Sequence, residues 1–222
     1  MKKTCIFFTL ILSISNILPA QNNFRVGIRG GLNLNNVIFS GPDADYYNGA
    51  KQAVLGFHIG LVTEIPIRGR LAIRTGIDAK SIGFTLKEKE PEVTTTYTSH
   101  PIYLQVPVVL AYNGRLFYFG AGPYVGLGVA GKYKITYRDP NGNPFLYDYD
   151  EEGDLQYGKT AGRHYTSYDF GLVAEAGIKV SILRIGLSYA AGLIDILPRH
   201  AVADAKTRHA VLCLTAGLMF GL

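Results

Sequence analysis

The chain has 222 residues, enough for one domain or at most two, with 26 glycines, 15 tyrosines and no tryptophan. An apolar content of 48% excludes a disordered chain, and a net charge of +5 is too mild to point to nucleic acid.

Residues 1–20 read as a secretory signal. Lys2 and Lys3 supply the charged start, "CIFFTLILSISNIL" the apolar run, and "LPA" before Gln21 a small-residue cleavage site. The run is short for a membrane span of about 20 residues. Cys5 lies too early to be a lipoprotein cysteine and reads as apolar filler. Cleavage leaves one domain, 21–222, in which 20 Lys and Arg face 17 Asp and Glu, a net charge of +3. Cys213 is then the sole cysteine, so no internal disulfide forms. No later stretch is apolar for 18 residues, so no transmembrane helix is predicted.

Beyond Gln21 the dominant period is two. In 55–67, Leu55, Phe57, Ile59, Leu61, Ile65 and Ile67 alternate with Gly56, His58, Gly60, Val62, Glu64 and Pro66. In 102–112, Ile102, Leu104, Val106, Val108 and Leu110 alternate with Tyr103, Gln105, Pro107, Val109 and Ala111. Eight such segments are predicted: 24–34, 54–67, 71–88, 94–112, 115–137, 167–181, 183–193 and 208–221. The second, fourth and sixth end in tight turns, "RGR" at 68–70, "NGR" at 113–115 and "SI" at 181–182. The other connections (35–53, 89–93, 138–166 and 194–207) are long, or have long strands beside them. Antiparallel strands in even number put all tight turns at one end, as in outer-membrane barrels.

The fifth segment explains its own glycines. Phe117, Phe119, Ala121, Pro123, Val125, Leu127 and Val129 face one way; Tyr118, Gly120, Gly122, Tyr124, Gly126 and Gly128 face the other. Eight strands enclose a space just wide enough for side chains, and inward glycines leave room for large neighbours. Asn113-Gly114 suits a type I′ turn with positive φ at both residues. Pro107 and Pro123 cannot donate to the ladder and should mark bulges or ends of pairing.

Parity places charges of both signs inside: Arg25, Arg29, Glu64, Arg74, Asp78, Glu175, Lys179 and Arg184, with Asp169, Lys80, His58 and Gln105 beside them. Buried charges are costly unless paired, so these are ion-pair candidates that hold the lumen shut. A soluble lipocalin is the structural rival, but its apolar face would point inward. Tyr112, Phe117, Tyr168 and Phe84 are candidates for interfacial girdles.

The loop 138–166 is the richest external segment. Tyr147, Tyr149, Asp150 and Tyr157 are its contact candidates, and Tyr165 adds another ring. Asp148, Asp150, Glu152 and Gly153 resemble the front of a calcium loop, but its twelfth place is Lys159 instead of Glu, and no metal is expected. The five histidines have no metal-ligand spacing. His164 with Ser167, or His100 with Ser99, could imitate the His and Ser of a lipid-modifying barrel enzyme, yet no orienting acid is evident. Nucleotide and hydrolase fingerprints are absent.

The blocks "FRVGIRGGLNLNN", "GFHIGLVTEIPI", "PIYLQVPVVLAY", "YFGAGPYVGLGVAGK", "YDFGLVAEAGIKV" and "LRIGLSYAAGLIDI" occur in order over most of 24–222. In them the chain resembles the PorT-like outer-membrane β-barrel family of Bacteroidota. "YLQVPVVLAY" and "GAGPYVG" are the most specific. The resemblance implies an eight-stranded barrel inserted by the outer-membrane assembly machinery. Such barrels usually end on an aromatic residue, whereas this chain ends "LMFGL".

The expectation is therefore an all-β protein: an eight-stranded antiparallel up-and-down transmembrane β-barrel in the outer membrane of a Gram-negative bacterium, its mature N-terminus periplasmic. It is expected to need no cofactor and to be non-enzymatic, a structural or surface-interaction protein. Its expected partners are membrane lipids, the assembly machinery and a surface or envelope protein at loop 138–166, not nucleic acid. The alternatives are a component of an envelope secretion machine, a small channel or a lipid-modifying enzyme.

Overall fold

The computed structural model describes residues 24–42, 44–140, 148–158, 164–197 and 206–221. The elements are β1 (Arg25–Ser40), α1 (Ala44–Ala50), β2 (Lys51–Gln52), β3 (Val54–Arg68), β4 (Leu71–Ser81) and β5 (Phe84–Lys89). They continue as β6 (Thr94–Asn113), β7 (Phe117–Arg138), β8 (Asp148–Asp154), β9 (Tyr168–Val180), β10 (Leu183–Gly192) and β11 (Lys206–Gly221). The period of two makes strands because successive side chains leave a pleated chain on opposite faces.

Eight strands close into an antiparallel ring in the order β1, β3, β4, β6, β7, β9, β10, β11. The first and last strands pair along their whole length, from Arg25 opposite Gly221 to Ser40 opposite Lys206. No sheet edge is left open around the ring, the condition for strands to sit in hydrocarbon. Leu55, Ile59 and Phe117 are 63–65% exposed on the outer surface, in a belt that continues through Ile28, Leu110, Leu172 and Leu214. Among the described residues no helix is long and apolar enough to cross a membrane.

Past the long-loop end of the ring, β2, β5, the first part of β6, the last part of β7 and β8 form a projecting sheet. Its inner face and the end of β1 bury Val37, Phe39, Phe84, Leu155, Tyr165 and Ile196, an apolar cap over the barrel mouth. Below it lies a second apolar layer inside the ring: Ile82, Tyr103, Tyr124, Ala190, Val211 and Cys213.

Several expectations are corrected. β1 runs to Ser40 instead of 34, because Val37 and Phe39 belong to the cap. The 71–88 segment divides into β4 and β5 around Ile82 and Gly83. The 138–166 loop contains β8, hydrogen-bonded to β7 from Lys132 opposite Asp154 to Arg138 opposite Asp148. Neither Asn113 nor Gly114 has positive φ; Asn113 stays in β6 and the connection spans residues 114–116. Positive φ occurs instead at Gly69 (60°) and Ser181 (56°), in the other two tight turns. Pro107 and Pro123 cause no register shift, whereas the β3–β4 register shifts between Pro66 and Arg68. Pairing lapses beside Pro107 in β4–β6 and beside Pro123 in β6–β7, then resumes in the same register. The β6–β7 bulge lies higher, where Ile102 pairs with Ala130 but Tyr103 pairs with Gly128. Phe84, expected in a girdle, is 3% exposed inside the cap. Tyr112 and Phe119 stack on the outside with ring centroids 5.1 Å apart. Phe220 lies on the exposed outer face of β11, while the segment expected to be a signal and Leu222 fall outside the described residues.

Candidate functional site

Register builds the lumen. Arg25 on β1 stands opposite Glu64 on β3, which stands opposite Arg74 on β4. One carboxylate thus lies between two guanidinium groups on the same face, where directly paired residues are closest. Glu64 is fully buried. Its Oε1 accepts from Arg25 at 3.1 Å, and its Oε2 accepts from Arg74 at 2.7 and 3.1 Å. Arg184 crosses from β10 to donate to both oxygens, at 2.8 and 3.0 Å. Arg74 also donates to Glu175 on β9 and to Asn113 Oδ1 (3.3 Å), and its guanidinium lies 4.6 Å from the Tyr118 ring centroid.

A second row shows what an inward glycine does. Arg29 on β1 and Asp78 on β4 both face Gly60 on the intervening β3. A Cβ at Gly60 would overlap the Asp78 carboxylate. With none there, Arg29 reaches past β3 and forms a bidentate pair with Asp78 at 2.8 and 2.6 Å. The structure therefore brings seven of the eight lumen candidates into two networks. Lys179, half-buried at the tight-turn end, makes no ion pair among the described residues.

Further along, His58 bridges Asn33 Oδ1 (2.6 Å) and Thr215 Oγ1 (3.1 Å). The Asn33 amide donates to the Phe57 and Ser81 carbonyls. Its oxygen is thus the acceptor, so His58 Nδ1 carries the proton. In the upper apolar layer Asp169 Oδ2 accepts from Tyr124 (3.1 Å) and lies 3.1 Å from His209 Nδ1. His209 was missed in sequence. Extending the alternation along β11, in step with Cys213 and Thr215, would have placed it inside.

Glycines elsewhere make room for rings. A Cβ at Gly128 would overlap Tyr157, at Gly171 Tyr124, and at Gly186 Tyr118. Tyr157 is consequently a correction. Expected as an outward contact, it points inward, packs edge-on against Tyr103 at 5.9 Å and donates to the Ala130 carbonyl. Tyr149 is exposed on β8 and stacks on Tyr137 at 4.5 Å. Asp150 bonds Lys134 (2.7 Å) and Arg138 (2.9 Å), while Asp148 bonds Arg138 and Glu152 bonds Lys134. The hydrogen bond from Lys134, then that from Arg138, holds the Asp150 carboxyl below its usual range. The acids that resembled a calcium loop thus lie on an extended strand and face the cations of β7. Tyr147 and Lys159 fall outside the described residues.

Among the described residues neither histidine of these pairs hydrogen-bonds its serine. Ser99 turns inward and hydrogen-bonds Tyr165 at 2.6 Å, while its neighbour His100 is exposed on the opposite face. His164 Nδ1 accepts the Gln156 backbone N–H at 3.1 Å. Among the described residues no three His, Cys, Asp or Glu side chains gather as a metal site.

The family model described as outer membrane protein beta-barrel domain matches residues 19–197. Among solved structures the chain is similar to Ail, the attachment invasion locus protein of Yersinia pestis, solved with the heparin analogue sucrose octasulfate. That match has 13% identity, 89% of this chain and 99% of that one, and a TM-score of 0.42. Neisserial surface protein A matches at 12% identity over 90% of this chain and 97% of that one, TM-score 0.38. AlkL, an outer-membrane protein solved in DMPC bilayers, matches at 11% over 92% and 96%, TM-score 0.27. No curated protein matches the chain.

Proposed function

The chain belongs to the outer membrane protein beta-barrel domain family, and from that premise we propose that it is a closed, non-enzymatic barrel acting at its long-loop end as a structural or surface-interaction protein. The observation that carries this reading is the doubly sealed interior. Two apolar layers, one around Tyr103 and Val211 and one around Phe39 and Tyr165, lie across the path above the paired charges. A solute would have to break both, whereas the projecting sheet exposes Tyr149 and, among the described residues, leaves the outer edge of β8 unpaired. In this reading the long loops face outward, the mature N-terminus faces the periplasm, and the partner is a surface or envelope protein.

A photo-crosslinking residue in place of Tyr149, in intact cells, tests the proposal. A discrete protein adduct is expected, together with no unitary conductance in planar bilayers. A stable conductance, or the absence of any adduct on the whole β8 edge, would overturn it.

A second reading has its own support. The blocks "YLQVPVVLAY" and "GAGPYVG" favour the PorT-like group, and with it a place in an envelope secretion machine. Co-purification of periplasmic or inner-membrane components from solubilised membranes would support it; a free monomer would count against it.

A further inference from the structure

We propose that the barrel carries a site for one anionic, phosphate-bearing membrane lipid on its outer wall, where β10, β11 and β1 near the long-loop end. A groove of about 280 Å³ crosses these strands there. Its apolar walls are Leu34, Ile38, Tyr189 and Leu212, each 44–51% exposed. Its floor is small, Ala210 opposite Asn36. One water needs roughly 10–15 Å³ measured this way, so the groove takes a length of acyl chain and not a lone ion or water.

Two uncompensated cations flank the groove. Arg208 stands opposite Ile38 and two residues from Ala210 on the same face of β11. Its Nε is shut off from solvent and has no hydrogen-bond partner among the described residues. A buried donor left unpaired is rare in native structures and calls for an explanation. Lys51 lines the other side, where its Nζ donates to the Val37 carbonyl (2.6 Å) and to Asn48 Oδ1 (2.7 Å), both neutral. Among the described residues neither cation makes an ion pair. Asp195, the acid beside this part of β11, accepts with Oδ1 from the backbone N–H groups of Leu197 and Thr207. Asn36 Oδ1 accepts from the Val37 N–H at 2.8 Å, which leaves its amide nitrogen to donate to a ligand.

Height on the barrel narrows the class. A tilted strand crosses the hydrocarbon in about 9–11 residues. Residues 210–220 of β11 have that length, carry no charge and end just below Arg208. On β1 the outward series Ile28, Gly30, Leu32, Leu34 gives way to Asn36 at the same level. Arg208 and Asn36 therefore stand where headgroups begin, with the apolar groove beneath them. An acylated phosphate fits both zones. Its phosphate accepts from Arg208 and Asn36, matching the guanidinium in charge and geometry, while a chain lies along Leu34 and Leu212. Free phosphate would leave the groove empty, and a lipid without net negative charge would leave the two cations unbalanced. The inference rests on the proposed function in one respect: long loops facing outward make this a lipid of the outer leaflet.

The test is native mass spectrometry of the detergent-folded barrel with dimyristoyl phosphatidic acid, with dimyristoyl phosphatidylcholine and with inorganic phosphate. Wild type should retain one phosphatidic acid in clear preference to phosphatidylcholine, and millimolar phosphate should not displace it. Arg208→Gln should weaken retention about tenfold or more, the worth of a hydrogen bond to a charged group. Ala210→Leu should weaken it by filling the groove. Arg115→Gln, exposed on a tight turn at the opposite end, should retain the lipid as wild type does. The gel-mobility shift on heating shows which variants are folded; if Arg208→Gln is not, Ala210→Leu decides. Equal retention of the two lipids, unchanged retention by the folded variants, displacement by phosphate, or a protein dimer in place of the adduct would overturn the site. The measurement does not depend on which way the barrel faces, and these variants leave β8 untouched. Its failure is therefore separate from failure of the cross-linking experiment.

Discussion

Arg184 and Glu64, 120 residues apart in sequence, meet across the barrel with both guanidinium nitrogens on both carboxylate oxygens, at 2.8 and 3.0 Å. Glu64 belongs to β3 and Arg184 to β10, strands that do not pair with each other. The contact therefore runs through the lumen and ties opposite walls together. Arg74 extends it to Glu175 on β9. Charge pairs of this kind are weak contributors to net stability, but removing one partner leaves the others as buried charges without compensation.

Glu64→Gln should accordingly destabilise the barrel by about 3–5 kcal/mol, since it leaves Arg74 and Arg184 buried without the charge they share. Arg25→Gln should cost about 1 kcal/mol or less, because the Arg25 side chain is partly in solvent. Urea unfolding of the detergent-folded protein, followed by gel mobility, measures both. Equal losses would show that burial does not set the difference.

Gly128→Ala should cost about 1–3 kcal/mol, the ordinary cost of overpacking, because the new methyl overlaps the Tyr157 ring. The damage should be local. Hydrogen exchange should accelerate in β8 and around Tyr165 while β3 and β10 keep their protection. Uniform acceleration would mean that cap and ring unfold as one unit.

Leu61 faces outward near the middle of β3 and is 60% exposed. If that face contacts lipid, Leu61→Arg should cost about 2–4 kcal/mol at the bilayer midplane and reduce folding into vesicles. The same change at Tyr149, on the projecting sheet, should be nearly silent. Similar folding yields for the two would contradict a lipid belt on β3.

The β7–β8 hairpin should respond to pH at both extremes. Asp150 has a folded pKa below its usual 3.8, owing to Lys134 and Arg138, so its contribution is present above that value and lost as pH falls through the folded pKa. Lys134 is raised above its usual 10.5 by hydrogen bonds to Asp150 and Glu152. Its contribution is present below 10.5 and lost as pH rises through the folded pKa. Protease cleavage within the hairpin should stay flat from about pH 5 to 9 and increase outside that window. Lys134→Gln should abolish the alkaline rise and weaken the acid one.

The sequence by itself determined the wall of this barrel. The period of two set which residues face out, and that single parity placed Glu64, Arg74, Asp78 and Arg184 inside, because a pleated strand offers each side chain one of two directions. The alternation of tight and long connections determined the ring. Only the tertiary structure decided which inward groups meet. Glu64 reaches Arg184 across the lumen, and Arg29 reaches Asp78 over Gly60. Those outcomes depend on register and on distances across the barrel, which no local pattern encodes. The cap was hidden for the same reason. Leu155, Tyr157 and Tyr165 lie in a segment that reads as a polar loop, and their burial depends on β8 folding back onto β7 and turning those side chains over the barrel mouth.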